Sequence, residues 1–157
     1  AAVSGLGNEG DGDVVINIYA GAVLTSLNSA AIYMPNTNEL NIMGGTITGV
    51  SALYSKSGKT TISGGNFIAT GAKQDYRYNG GGYYETGDAI TIDACCRYPG
   101  GDPEVVITGG TFVSANGYKI AHYTRADISN RATITNSTNV EIKEISVPAS
   151  AFVTTAE

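Results

Sequence analysis

The chain has one histidine and two cysteines in 157 residues, and each scarcity closes off a class of chemistry. The cysteines are neighbours, Cys95 and Cys96. A disulfide between adjacent residues forces a strained ring, so two partly buried thiols are the simpler expectation. They supply neither a disulfide framework nor a cysteine-based metal site. The histidine, His122, stands in Ala121-His122-Tyr123, and no Gly-x-Ser-x-Gly phrase accompanies it; it reads as a surface or coil-edge residue. Basic clusters are missing too, and the formal charge is -5, so the phosphate-neutralising footprint of a nucleic-acid binder is absent. No apolar run approaches the roughly 20 residues that span a bilayer, so membrane insertion is not expected. Ala1 to Asp13 shows neither the basic nor the apolar region of a signal peptide.

What is present is repetition. Glycine numbers 21, and β-branched residues and tyrosines fall in short runs between Gly, Asn and Ser, which favours strands and tight turns over helices. Ile42-Met43-Gly44-Gly45-Thr46-Ile47 recurs as Ile62-Ser63-Gly64-Gly65-Asn66-Phe67 and as Ile107-Thr108-Gly109-Gly110-Thr111-Phe112. Degenerate copies flank these, Ile18-Tyr19-Ala20-Gly21-Ala22-Val23 before and Ile134-Thr135-Asn136-Ser137-Thr138-Asn139-Val140 after. A second phrase follows the first: Ala31-Ile32-Tyr33, Ala52-Leu53-Tyr54, Ala89-Ile90-Thr91 and, more loosely, Lys119-Ile120-Ala121. Leading isoleucines are spaced by 24, 20, 45 and 27 residues, so the shortest repeat is near 20 and the others carry insertions.

A repeat of this length, with short β runs and no helical period, buries its apolar residues by stacking coil on coil. Each strand pairs in parallel with its equivalent one coil away, at about 4.8 Å. The expected fold is all-β: a single-stranded right-handed parallel β-helix (β-solenoid) of about five coils, some 25 Å long on that spacing. Ile42, Ile62 and Ile107 should point inward in register, and the Gly-Gly steps should make corners that need positive φ or close approach. A β-sandwich is the alternative, but the repeated phrase does not alternate strand types and no Asn-Gly or Asp-Gly turn recurs between paired runs. The organisation read from composition is a flexible leader over 1–13, the β-helix over 14–147 and a tail over 148–157, with Val140 to Ile145 alternating apolar and charged residues as a terminal cap.

The phrases Ala-Ile-Tyr, Gly-Gly-Thr-Ile-Thr-Gly, Ser-Gly-Lys-Thr-Thr-Ile-Ser-Gly-Gly, Thr-Gly-Asp-Ala-Ile and Ile-Thr-Gly-Gly-Thr-Phe resemble the Gly-Gly-Thr repeats of right-handed parallel β-helix surface proteins of gut Firmicutes and of their phages. The resemblance spans roughly residues 14 to 140. It implies an exported location, at the bacterial cell surface or on a virion, and no cofactor, and it carries over no catalytic residue.

Function is read from two insertions in the third coil, residues 71–88 and 94–102, which hold five of the ten tyrosines. Tyr76, Arg77, Tyr78, Asn79, Tyr83, Tyr84, Glu85, Arg97 and Tyr98 are the candidate binding residues, with Asp75 beside them. Tyrosine faces suit sugar rings or a partner chain, and the charged and amide groups supply hydrogen bonds. The same tyrosines would equally serve to fold the loops down as a cover over the coil. The function expected is therefore a non-catalytic extracellular or virion-surface structural and binding module whose partner is a glycan or protein surface. A phage fibre or capsid-decoration role is the alternative, and a fibre implies a homotrimer. A pectate-lyase-like enzyme would draw on Asp88, Asp93, Asp102 and Glu104, with Arg77 or Arg97 as base or anion clamp. The acidic Asn8 to Asp13 lacks the full calcium loop and reads as leader, so no metal is expected. Asn136-Ser137-Thr138 reads as a turn.

Overall fold

The computed structural model describes residues 1–5, 14–35, 38–78, 85–95, 98, 101–129 and 131–152. The acidic stretch Asn8 to Asp13, Cys96 and the tail beyond residue 152 lie outside them. The described chain is all-β, and among the described residues no helix is long and apolar enough to cross a membrane.

Three parallel sheets are built by strands that the chain visits in rotation, giving a parallel β-solenoid-like fold. One sheet holds β2 (Val15–Ile18), β5 (Glu39–Ile42), β8 (Lys59–Ile62), β11 (Glu104–Ile107) and β14 (Thr133–Asn136). A second holds β3 (Val23–Thr25), β6 (Thr46–Gly49), β9 (Asn66–Ala69) and β12 (Thr111–Ser114). The third holds β1 (Val3–Ser4), β4 (Ile32–Met34), β7 (Leu53–Ser55), β10 (Ile90–Ala94), β13 (Ile120–Arg125) and β15 (Ile142–Val147). We call them the first, second and third sheets. The opening strand β1 belongs to the stretch that composition marks as a lead-in.

The register explains the repeated phrases. Ile18, Ile42, Ile62 and Ile107 are consecutive partners in the first sheet, and all are buried. Val3, Ile32, Leu53, Ile90, Ile120 and Ile142 form the matching column in the third. In the second sheet Leu24, Ile47, Phe67 and Phe112 align, and the two phenylalanine rings stack at 5.2 Å. The glycines of each corner do different work. Gly65 holds φ +103, which a side chain rarely adopts, while a Cβ on Gly64 would sit 2.5 Å from the Met43 carbonyl of the coil below.

Two flanking copies are offset from the sequence alignment. Leu24, not Val23, pairs with Ile47, because the first Gly corner is one residue longer; Val23 faces outward and is 73% exposed. At the other end Asn136, not Ile134, pairs with Ile107, and Ile134 continues the neighbouring inward column beside Val105. The Asn136 amide closes a turn: its Oδ1 accepts from the Thr138 N–H at 3.0 Å and its Nδ2 donates to the Val140 carbonyl at 2.9 Å. The chain then passes from β14 into β15 with no strand in the second sheet between them.

The first two sheets alternate buried and exposed residues, as half-exposed sheets do. The third differs, for β4, β7 and β10 are buried at every position. Its outer face is therefore covered, and the cover comes from the third-coil insertions.

Candidate functional site

The cover is organised by two buried carboxylates. Asp93 is the fourth residue of β10 and, by strand alternation, projects from the outer face with Tyr54 and Tyr123. Its carboxylate accepts from the Tyr54 hydroxyl at 2.7 Å, from the Tyr76 hydroxyl at 3.1 Å and from the Cys95 N–H at 3.0 Å. Asp88 closes the other end of the insertion. It accepts from the Tyr123 hydroxyl at 2.6 Å, from the Lys73 ammonium at 3.2 Å and from the Tyr118 N–H at 2.7 Å. Lys73 also donates to the Tyr123 hydroxyl at 2.6 Å, so one chain of bonds joins the start of the insertion to its end and to β13. The Thr86 and Thr91 hydroxyls meet at 2.6 Å beneath it.

Electrostatics follow from this burial. Removal from water, reinforced by the Asp93 charge, pushes the Tyr54 hydroxyl well above its ordinary range. Tyr123 is raised in the same way by burial and by its bond to Asp88. Both phenols are thus held as neutral donors to fixed carboxylates. His122, on the inward side of β13 beside Ile92, is lowered by burial, with Glu144 opposing the shift.

The sequence-selected residues divide between two places. Tyr76 is half-buried: its hydroxyl is spent on Asp93, and its ring lies 5.5 Å from Tyr123 and 5.7 Å from Phe152. Tyr78 packs edgewise on Phe152 at 5.6 Å and is 42% exposed, and Arg77 between them is exposed. Tyr98 lies over β4 instead, its hydroxyl 3.4 Å from that of Tyr33 and its ring 4.9 Å from the Lys56 ammonium. Glu85 is half-buried. Asn79, Tyr83, Tyr84 and Arg97 lie outside the described residues. Asp75 and Tyr76 border a cleft of about 300 Å³ with Ile145 and Pro148.

The four carboxylates considered for catalysis do not converge. Asp88 and Asp93 are buried under the insertion, whereas Glu104 points out from the first sheet and pairs with Lys59 at 3.7 Å. Asp102 accepts the Arg131 N–H at 2.9 Å. Sequence reasoning passed over Lys73, Tyr54, Tyr123 and Phe152, which build the anchor. Phe152 sits in a short 3₁₀ turn, Ala149–Phe152, within the stretch taken as a tail, with the Arg125 guanidinium 4.1 Å from its ring. Asp93, directly after the inward Ile92 and within an otherwise uncharged strand, was the available signal, since a charge there needs a partner. Comparison with protein families, curated proteins and solved structures finds no match to the chain.

Proposed function

We propose that the chain is a right-handed parallel β-helix of about five coils that acts as a non-catalytic structural and binding module on the outside of a bacterial cell or of a virion. In this reading it contacts a glycan or a partner chain through the Tyr-rich loops of its third coil. The five strands of the first sheet support the coil count. Handedness rests on the strong right-handed preference of crossovers between parallel strands of one sheet.

One observation carries the binding reading: the insertion is anchored from within and displays groups outward. Tyr76 and Lys73 fix it through Asp93 and Asp88, while Arg77 and Tyr78, the next two residues along the chain, are exposed. A loop held this way loses little conformational freedom when it meets a ligand. The engagement of Asp88 and Asp93 by buried tyrosines and a lysine favours an anchoring role over an acid–base role.

The test is a glycan array and a pull-down comparing the parent with Arg77→Ala/Tyr78→Ala, which keeps the hydrogen bonds to Asp93 and Asp88 but removes the Tyr78 contact with Phe152, so an unchanged melting temperature is checked first. Loss of retained ligands in the folded variant is expected. A variant that keeps every ligand of the parent would assign these loops to cover alone.

A further inference from the structure

The last coil leaves a notch. The chain runs from β14 to β15 without a strand in the second sheet, and a cleft of about 530 Å³ lies between the corner before β13 and residues 139–143. That lies within the range of about 300–1,000 Å³ typical of small-ligand sites. It is lined by Tyr118, 39% exposed, and by Lys119, Lys143, Asn139 and Glu141.

Tyr118 is rigidly mounted. Its N–H donates to buried Asp88 at 2.7 Å, and its carbonyl accepts from the Ala89 N–H at 3.0 Å. Lys73 stands 5.3 Å from the ring and Lys143 5.9 Å. Lys73 and Lys143 thus stand over one aromatic ring and Lys119 lines the cleft beside it, three of the chain's five lysines in a protein of formal charge -5. Lys73 is committed to Asp88, but among the described residues no carboxylate lies within ion-pairing distance of Lys119 or Lys143. Two exposed lysines against a single glutamate, Glu141, in its lining leave the cleft positive.

We infer that this cleft binds a carboxylate-bearing saccharide, which gives the proposed module a second site and a ligand class. The sugar ring lies on the Tyr118 face, its carboxylate is held by Lys119 and Lys143, and Asn139 and Glu141 bond its hydroxyls. Charge complementarity sets the preference for an acidic sugar over a neutral one, because a neutral ring leaves both ammonium groups unmatched. The inference rests on the glycan-binding reading but not on the third-coil loops.

Calorimetry on the intact chain decides it, with hexagalacturonate and sialyllactose as probes and fully methyl-esterified hexagalacturonate and lactose as neutral counterparts. At least one acidic probe should bind about tenfold or more tightly than its counterpart, and each of Lys119→Ala and Lys143→Ala should weaken it by about tenfold, the scale of a lost charge-assisted hydrogen bond. Raising the salt should weaken it further, and Tyr118→Ala should abolish it. These side chains are exposed, so a melting temperature matching the parent verifies that the variants fold. Acidic and neutral probes binding alike, or acidic binding that survives both lysine replacements, overturns the site. If only neutral sugars bind, and through Arg77 and Tyr78, the module's function stands and this inference falls. If no saccharide binds at all, this inference falls together with the glycan arm of the proposed function, and the partner-chain arm stands.

Discussion

Replacing Asp93 with alanine removes the acceptor that holds three donors on the covered flank. The Tyr54 hydroxyl at 2.7 Å, the Tyr76 hydroxyl at 3.1 Å and the Cys95 N–H at 3.0 Å all lose it. Tyr54 is 1% exposed, so its hydroxyl finds no water in exchange. A hydrogen bond to a charged acceptor is worth about 1.5–3 kcal/mol, and stranding a buried donor costs a similar amount. Deleting a buried charge gives some of this back by ending its desolvation. The net expectation is a loss of about 3 kcal/mol for Asp93→Ala, or about 6–12 °C in melting temperature for a chain of this size. Tyr54→Phe should cost about 1.5 kcal/mol. A double-mutant cycle of the two should show coupling of about 1 kcal/mol or more, since each removes the same bond. Urea denaturation supplies the free energies, and trypsin cleavage after Lys73 or Arg77 should accelerate in Asp93→Ala as the insertion lifts. An Asp93→Ala protein within about 0.5 kcal/mol of the parent, with unchanged cleavage, refutes the anchor.

Ile62 lies in the middle of its column between Ile42 and Ile107 and is fully buried, so Ile62→Ala should cost about 2–5 kcal/mol and Ile62→Asp should abolish folding. Circular dichroism that matches the parent for Ile62→Asp would show the register to be wrong. His122 gives a pH dependence. Burial lowers its folded pKa below the ordinary 6.5, so the unfolded chain binds more protons in that range. The stability it contributes is present above the unfolded value and is lost as pH falls through the folded one. Glu144 on β15, Asp93 on β10 and Arg131 ahead of β14 are the charged groups acting on it. Melting temperatures should decline from about pH 7 toward pH 5, and His122→Leu should flatten part of that decline; identical slopes would remove His122 from the account.

The body of the fold is legible because each Ile-x-Gly-Gly phrase makes the same corner, and equal corners impose equal register. Ile42, Ile62 and Ile107 align as read, as do Ile32, Leu53, Ile90 and Ile120. The slips fall where a corner changes length: Val23 by one residue, and Ile134 by two where the Asn136 side chain substitutes for backbone in closing a turn. Composition pointed to the insertion but not to its anchor. Tyr54 and Asp93 are 39 residues apart and obey no local period, so only the stacked coils bring them together. Tyr118 was passed over for a related reason. It stands in an ordinary corner, and the cleft beside it exists only because the following coil omits a strand.

The central claim is that successive coils stack in parallel register along one axis, for both candidate sites depend on it. Nitroxide labels at Val15 and Thr133 test it most directly. Both residues are exposed, and they head the outermost strands of the first sheet in the column Val15, Glu39, Lys59, Glu104 and Thr133. Four strand spacings place their backbones about 19 Å apart. Double electron–electron resonance should give a single narrow distribution near that distance, widened only by the label arms. A broad distribution, or a maximum beyond about twice that value, would contradict the stacked register and with it the placement of both sites.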